Sequence, residues 1–279
     1  YDREHGYDTL LELGCGGEMT VLLEPLASAR HLRFATVIAA GLQQRQYGLL
    51  ATVYARDGRC LAHPQRLIVS GNVCLDELND DALRAQLHAQ APNATAAGAT
   101  MERIATASGA YEVLIEALQP RLRVVVLGTS TTALALARLA RSLGWEVDLV
   151  DPREYAPEPV LPDGTRLLRS APEHLLQQLT LDRQTAVVVM THNLERDLAC
   201  LRVLREQPLA YLGALGSRSR AEKMHAIAHS TTLPLHAPAG LDIGSETPEE
   251  IALAIAAEIQ AVIRRHPAGK LSSGEGPIH

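Results

Sequence analysis

The sequence predicts an α/β protein in which a doubly wound parallel sheet follows a smaller N-terminal α+β domain. Three observations predict this fold class. Residues 121–153 contain a strand, a short turn, a helix and a second strand. Beyond Arg153, apolar runs keep alternating with stretches of helical periodicity, which is typical of parallel sheets. At 279 residues the chain is long enough to build two hydrophobic cores, so we expect two domains.

The strand–helix–strand unit defines the C-terminal domain. Its first strand is the β-branched run Val124–Leu127, which is typical of a strand buried on both faces. Gly128 ends that strand, and the hydroxyl of Ser130, or of either threonine after it, can cap the helix that follows. A second strand then delivers Asp151 at its carboxyl end. We therefore predict a Rossmann-like domain over residues 121–266.

The turn after the first strand resembles a dinucleotide-binding turn only in part. Such turns carry G-x-G-x-x-G/A, with an acid about 20 residues further on. Gly128, Ala133 and Asp151 fit this pattern, whereas Ser130 occupies the place of the middle glycine, where its Cβ would crowd a pyrophosphate. The N–H groups at the start of the helix can still bind an anion. NAD(P) therefore remains one candidate ligand, and an NAD(P)-dependent oxidoreductase one candidate function.

Composition and charge exclude several other classes. A net charge of −6 without a long basic run argues against a nucleic-acid partner, and one Phe, one Trp and seven Tyr provide few platforms for base stacking. No uncharged apolar stretch reaches membrane-spanning length, and no signal peptide is visible. Four scattered cysteines predict neither a disulfide scaffold nor a C-x-x-C zinc site, which favours a reducing, cytoplasmic setting. Because the chain begins with Tyr1, we expect that residues upstream of it are missing.

The N-terminal domain is predicted over residues 1–92, and its main candidate functional side chain is Cys15. Apolar runs on both sides of the glycine-rich turn predict two strands. Gly16 and Gly17 would let the backbone approach a ligand closely, and a thiolate is a soft ligand for a transition metal. Cys15 therefore has two interpretations, a metal ligand or a small apolar residue in a tight turn.

The rest of the N-terminal half is predicted to contain helices and strands, followed by a linker to the C-terminal domain. The expected helices are 27–46 and 76–90, and the expected strands 49–55 and 66–69. From Ala91 the composition shifts to Ala, Thr and Gly, so we predict a linker over residues 93–120, in which Tyr111–Leu118 forms a short helix or strand. The final residues, 267–279, predict a polar tail.

Further strands of the C-terminal domain should end in candidate ligand contacts. The predicted strand Ala186–Met190 precedes His192, whose imidazole Asp197 could hold, and the predicted strand Leu209–Leu212 precedes Gly216, Ser217 and two arginines. Free N–H groups, a hydroxyl and the guanidinium groups of Arg218 and Arg220 could bind an anion, or could form a solvated helix start. Asp242 could face the same crevice or only stabilise its loop. The crevice should lie at the carboxyl ends of the strands.

Seven short motifs in one order resemble the xanthine dehydrogenase accessory protein family, XdhC/CoxI. They begin with LGCGG at Leu13, LGW at Leu143, VDPR at Val150 and VMTH at Val189, and continue with YLGALGSR at Tyr211, GLDIG at Gly240 and TPEEI at Thr247. The resemblance implies a cofactor chaperone rather than a turnover enzyme. Such a chaperone binds molybdenum cofactor (molybdopterin), protects it while a cysteine desulfurase-type partner adds sulfur, and passes it to a molybdenum hydroxylase apoenzyme. A homodimer is a further expectation.

The resemblance also implies which residues bind the cofactor. Arg218 and the amides of Gly216 and Ser217 would hold the pterin phosphate, while Cys15 would approach the metal. The cofactor-binding residues expected on this basis, together with those of the turn, are Cys15, Gly16, Gly17, Gly128, Ser130, Asp151, His192, Gly216, Ser217, Arg218 and Asp242. A protein that serves only as a docking partner is the remaining alternative.

Overall fold

The computed structural model describes residues 21–26, 28–91, 98–153, 158–228 and 233–273. The chain separates into two compact units, of which the first ends at Pro120 and the second begins at Arg121. The strands predicted around Cys15 lie largely outside the described residues, as does the end of the predicted tail. No helix in the described ranges is long and apolar enough to cross a membrane.

The described residues of the N-terminal unit form a five-stranded antiparallel sheet with one α-helix on each face. The elements are α1 (Arg33–Gln43), β1 (Gly48–Arg56), β2 (Arg59–Ser70), β3 (Val73–Asp76), α2 (Asp81–Gln90), β4 (Ala99–Thr106) and β5 (Gly109–Leu118). A short 3₁₀ helix, Ala29–Leu32, precedes α1. The strand order is β3-β2-β1-β5-β4. Leu83 and Leu87 of α2 pack with β1 and β5 on one face, while Phe34 and Ile38 of α1 pack on the other.

The linker predicted over residues 93–120 is wrong for residues 99–106, which form strand β4, whereas the strand alternative predicted at Tyr111–Leu118 is confirmed by β5. β4 and β5 form a hairpin, and residues 111–118 of β5 pair with the central strand β1. Tyr111, Val113 and Ile115 alternate toward the core, so the period-2 pattern was present in the sequence. The Ala- and Thr-rich composition of β4, an edge strand with mostly exposed side chains, obscured the hairpin. The short strand β3 was also missed.

The C-terminal unit, where the structure describes it, contains a sheet of six parallel strands. The elements are β6 (Arg123–Leu127), α3 (Thr131–Ser142), β7 (Glu146–Asp151), β8 (Thr165–Arg169), a 3₁₀ turn (Pro172–His174), α4 (Leu175–Gln178), β9 (Thr185–Val189), α5 (Leu194–Leu204), β10 (Tyr211–Ala214), α6 (Arg218–Ala228), β11 (Leu235–His236), α7 (Pro248–Arg264) and a final 3₁₀ turn (Leu271–Ser273). The strand order is β11-β10-β9-β6-β7-β8. In units of this fold the strand order reverses between the first and the fourth strand, here β6 and β9, and ligands bind outside the carboxyl ends at that point.

Helices cover both faces of this parallel sheet. Val124 and Val126 of β6 face the core under α3 and α7, whereas Val125 and Leu127 face the core under α4, α5 and α6. Alternate side chains of this strand therefore pack into the cores on opposite faces of the sheet, which explains why the run at 124–127 contains no polar residue. The predicted doubly wound Rossmann-like fold is confirmed.

Candidate functional site

The predicted contact residues of the C-terminal unit follow strand ends at one edge of the parallel sheet. Gly128 and Ser130 follow β6, Asp151 ends β7, His192 follows β9, and the Gly216–Arg218 segment follows β10. Parallel strands place these carboxyl ends at the same edge. We call this feature the carboxyl edge. That these residues contact a ligand stays a prediction.

Gly128 lies in close contact with the ends of two neighbouring strands. Its φ is +139°, and a Cβ at this position would lie 2.4 Å from the carbonyl oxygen of Met190, just after β9. Its N–H donates to the carbonyl oxygen of Val150 in β7 at 2.8 Å. Only glycine combines this backbone conformation with so close an approach. The turn after β6 is thereby held against both neighbouring strands.

Ser130 caps α3. Its backbone is extended, and its hydroxyl oxygen accepts a hydrogen bond from the Ala133 N–H at 3.3 Å. This cap satisfies one of the N–H groups that a helix leaves unpaired at its start. The cap predicted among the hydroxyls at 130–132 is thus the first of them.

Asp151 is a fully buried acid whose carboxylate is already bound. Arg153 donates to Oδ1 from its backbone N–H and from Nε, both at 3.0 Å, and to Oδ2 from Nη2 at 2.9 Å. Thr129 donates its hydroxyl to Oδ2 at 2.9 Å. Burial raises the pKa of Asp151, but the hydrogen bonds from Arg153 and Thr129 outweigh it and hold the pKa below its ordinary value. The acid is therefore charged and neutralised by its own arginine.

His192 occupies an unusual backbone conformation after β9. Its φ is +58°, in the left-handed region, which costs a non-glycine residue about 1–2 kcal/mol, and its side chain is exposed. The following residue, Asn193, caps α5 by accepting from the Arg196 N–H at 3.0 Å. The tight bend between strand and helix thus presents the imidazole to solvent at the carboxyl edge.

The partner predicted for His192 is wrong. Asp197 is completely buried and instead accepts from the backbone N–H and hydroxyl of Thr191, at 3.2 and 2.5 Å. Its second oxygen accepts from Nη2 of Arg220 at 2.5 Å. The first turn of α5 is thereby joined to the first turn of α6, an interaction that the sequence spacing did not indicate.

The segment after β10 forms a capped helix start. The helix predicted from Ala221 begins at Arg218, and the Ser217 hydroxyl accepts from the Arg220 N–H at 3.4 Å. Arg218 is exposed, while Arg220 is held by Asp197 and its Nε is buried without a hydrogen-bond partner among the described residues. A Cβ at Gly216 would lie 3.2 Å from Cβ of Arg220. The loop backbone therefore lies directly against the Arg220 side chain.

Glu258 is a polar centre that the sequence analysis missed. It accepts from the Tyr211 hydroxyl at 2.5 Å and from the Gly240 N–H at 2.8 Å, and its other oxygen lies 3.1 Å from Nδ1 of His236. Burial raises its pKa, yet these hydrogen bonds outweigh burial and lower the pKa. The available signal was a single acid in the middle of the otherwise apolar helix α7.

Asp242 belongs to the loop that Glu258 anchors. Gly240 has φ +112° and bonds to Glu258, and the preceding Ala239 donates its N–H to the carbonyl oxygen of Ala214 at the end of β10. Asp242 is exposed two residues later. The loop is thus tied to the carboxyl edge, and α7 then begins with the predicted capping box of Thr247 and Glu250.

Thiols at the described positions do not form a metal site. Cys200 is buried on α5, where burial, reinforced by the nearby Asp197 charge, raises the thiol pKa to about 12. Cys60 and Cys74 are exposed in the N-terminal unit. Within the described ranges, no three His, Cys, Asp or Glu side chains are grouped as metal ligands. Cys15, Gly16 and Gly17 lie outside those ranges.

The C-terminal half of the chain matches a known family model, and the chain is similar to several known proteins. Residues 124–259 match the family model described as the XdhC Rossmann domain. The chain is 32% identical over 148 residues to a probable subunit of xanthine dehydrogenase from Bacillus subtilis (strain 168), covering 53% of this chain and 44% of that protein. It is 29% identical over 150 residues to the molybdenum cofactor insertion chaperone PaoD of Escherichia coli (strain K12), covering 52% of this chain and 41% of PaoD.

Structural similarity to a known protein covers more of the chain than sequence similarity does. A crystal structure of a xanthine dehydrogenase from Bacillus halodurans superposes with a TM-score of 0.66, covering 90% of this chain and 69% of the other. At 20% identity that similarity concerns the fold alone. The chain spans less than half the length of the two curated relatives. The resemblance predicted from the motifs is confirmed.

Proposed function

We propose that the protein binds molybdenum cofactor and supplies it to a molybdenum hydroxylase. Its residues 124–259 match the family model of the XdhC Rossmann domain. The observation that carries the proposal is the charge arrangement of the carboxyl edge in such a domain. Both buried acids there, Asp151 and Asp197, are neutralised by arginines, and Arg218 remains exposed at a helix start. The relatives named as a cofactor insertion chaperone and a xanthine dehydrogenase subunit support the same role.

The residues at the start of α6 fit a phosphate group such as that of the pterin. The first N–H groups of an α-helix lack partners within the helix and attract anions. Arg218 adds a guanidinium, which binds phosphate with two parallel hydrogen bonds. Gly216, without a side chain, lets the loop backbone lie directly against Arg220, which a Cβ would approach to 3.2 Å. Asp197 does not repel the phosphate, because Arg220 neutralises it.

A soft ligand would be needed at the metal end of the cofactor, and we assign that role to Cys15. A thiolate suits such a metal, whereas Cys200 is buried and protonated. Bound in a hydroxylase, the cofactor supplies the metal at which hydroxylation occurs. In the present protein the residues would hold and shield it while a cysteine desulfurase-type partner adds sulfur. The cytoplasmic setting and a homodimer belong to the same proposal.

The test is the metal and pterin content of the full chain isolated from a host that makes the cofactor. We expect molybdenum and pterin in equal amounts on the wild-type protein. Arg218→Ala should lower both about tenfold, since a hydrogen bond to a charged group contributes about 1.5–3 kcal/mol. Arg202→Ala is the matched control, because Arg202 is an exposed arginine near the far end of α5 and should leave the content unchanged.

Two outcomes would contradict the proposal at different levels. Wild-type protein free of both molybdenum and pterin would remove the function. Full cofactor content in a Cys15→Ala/Arg218→Ala double variant would retain the function and remove the assigned residues.

A further inference from the structure

The end of β7 is where a dinucleotide-binding fold usually recognises the adenosine ribose. An acid at this position accepts hydrogen bonds from the ribose hydroxyls. Asp151 occupies this position, and the strand order around it is that of dinucleotide-binding sheets. Recognition of a ribose would require a free acceptor position on the Asp151 carboxylate.

Every acceptor position of Asp151 is used within the protein. A carboxylate has two oxygens and about four lone-pair positions. Oδ1 receives two hydrogen bonds from Arg153, and Oδ2 receives one from Arg153 and one from Thr129. All four distances lie between 2.9 and 3.0 Å, so none of these bonds is weak.

Arg153 also covers the acid from solvent. The Asp151 side chain is 1% exposed, whereas that of Arg153 is 50% exposed. Arg153 makes a further bond from Nη2 to the Thr129 hydroxyl oxygen, at 3.0 Å, which orients that hydroxyl to donate to Asp151. The ring of three residues is therefore closed, with the guanidinium on its outer side. A ligand at the end of β7 would meet a cation instead of an acid.

We propose that Arg153 determines the ligand class of the carboxyl edge by closing it to the ribose diol of a nicotinamide dinucleotide. The proposal rests on the proposed function, because it states which ligand the cofactor-binding edge rejects. A ribose would have to displace the hydrogen bonds of Arg153 to reach Asp151. Its hydroxyl donors are uncharged, so they cannot replace the ion pair that the guanidinium forms with the carboxylate. An anionic ligand meets no such obstacle.

The test is calorimetric titration of the full chain with ADP-ribose. We expect no binding to wild type below about 1 mM, and at least about tenfold tighter binding to Arg153→Ala, since one recovered hydrogen bond to a charged group is sufficient for that factor. The gain must disappear in Asp151→Ala/Arg153→Ala, because the acid is its source. Arg153→Lys retains the charge but not the planar fork, so its affinity should fall between the two.

Arg166→Ala is a matched control. Arg166 also binds a carboxylate, that of Asp148, through two hydrogen bonds of 2.8 Å, and its side chain is 53% exposed. That pair lies within β7 and β8 rather than at their carboxyl ends, so its removal should not create ADP-ribose binding. Circular dichroism verifies the fold of each variant, and Arg153→Gln replaces Arg153→Ala if the latter does not fold.

Three outcomes would overturn the proposal: micromolar ADP-ribose binding by wild type, no gain in a folded Arg153→Ala or Arg153→Gln variant, or a gain that persists without Asp151. The molybdenum content of the same preparations is measured separately. Failure of the dinucleotide experiment with normal molybdenum content would leave the proposed function intact. If molybdenum is absent but ADP-ribose binding increases as expected, the role of Arg153 stands and the proposed function is removed.

Discussion

Two buried acids at the carboxyl edge, Asp151 and Asp197, bind the same types of side chain but differ in how far along the chain their arginine partners lie. Each is essentially unexposed, and each is bound by one arginine and one threonine. Arg153 follows its acid by two residues and shares the end of β7. Arg220 lies 23 residues after Asp197 and belongs to another helix. The first pair is therefore local, and the second joins two elements.

The difference separates two uses of a buried ion pair. The local pair changes what the end of β7 presents to a ligand, and the helices would remain in place without it. The long-range pair positions the start of α6 relative to the end of β9, so its loss would displace the anion-binding residues themselves. Removing one partner of a buried pair is costly when the remaining charge cannot reach water. Three predictions test this comparison, in order of expected effect.

Asp197→Ala should cause the largest loss of stability. It leaves the guanidinium of Arg220, whose side chain is 28% exposed, without its partner and removes the acceptor of the Thr191 N–H. We expect a cost of about 3 kcal/mol, equivalent to about 6–12 °C in the melting temperature of the C-terminal unit. Thermal denaturation followed by circular dichroism measures it. Glu195→Ala, at an exposed residue in the same first turn of α5, is the control and should change little. Equal melting temperatures for both variants would contradict the structural role.

Asp151→Ala should cost less than half as much. Arg153 is half-exposed, so its guanidinium can turn into water when the acid is removed. The remaining loss is that of the Thr129 hydrogen bond and the packing of the carboxylate, about 1 kcal/mol, or about 2–4 °C. The same melting experiment on the two aspartate variants decides between the pairs. A loss larger than that of Asp197→Ala would show that the local pair also supports the fold.

The pH dependence of the Asp151 contribution should be the smallest effect. The pKa of Asp151 is lower in the folded protein than in the unfolded chain, so its stabilisation is present above the unfolded value of about 3.9 and is lost as the pH falls through the folded value. The difference in unfolding free energy between wild type and Asp151→Asn should therefore shrink from pH 5 to pH 3. Urea denaturation at these two pH values measures it, and a difference that grows toward pH 3 would reverse the sign.

Local patterns predicted most of the C-terminal unit. The apolar run at 124–127, the cap at Ser130 and the capping box of Thr247 and Glu250 all occur in the structure. Each depends on residues within a few positions of one another, which is the range over which helix caps and strand periodicity act. The same reasoning left helix and strand both open at residues 111–118, because the pairing of β5 with β1 depends on a partner more than forty residues away. It missed β4, which pairs with β5 at the edge of the sheet.

The candidate site divides in the same way. The sequence placed Gly128, Asp151, His192 and the Gly216–Arg218 segment at strand ends, and the parallel sheet brings those ends to one edge. It did not indicate that Asp197 binds Arg220 rather than His192, or that Glu258 anchors the loop of Asp242. These contacts join segments that are distant in the chain.

The sequence by itself determined most of the succession of strands and helices in the C-terminal unit, without the short strand β11, and the edge at which its polar residues gather. These features follow from apolar periodicity and turn chemistry, which act over a few residues. Only the tertiary structure decided which charges at that edge remain available to a ligand. Availability depends on burial and on the partners of each carboxylate, and both are properties of the packed fold.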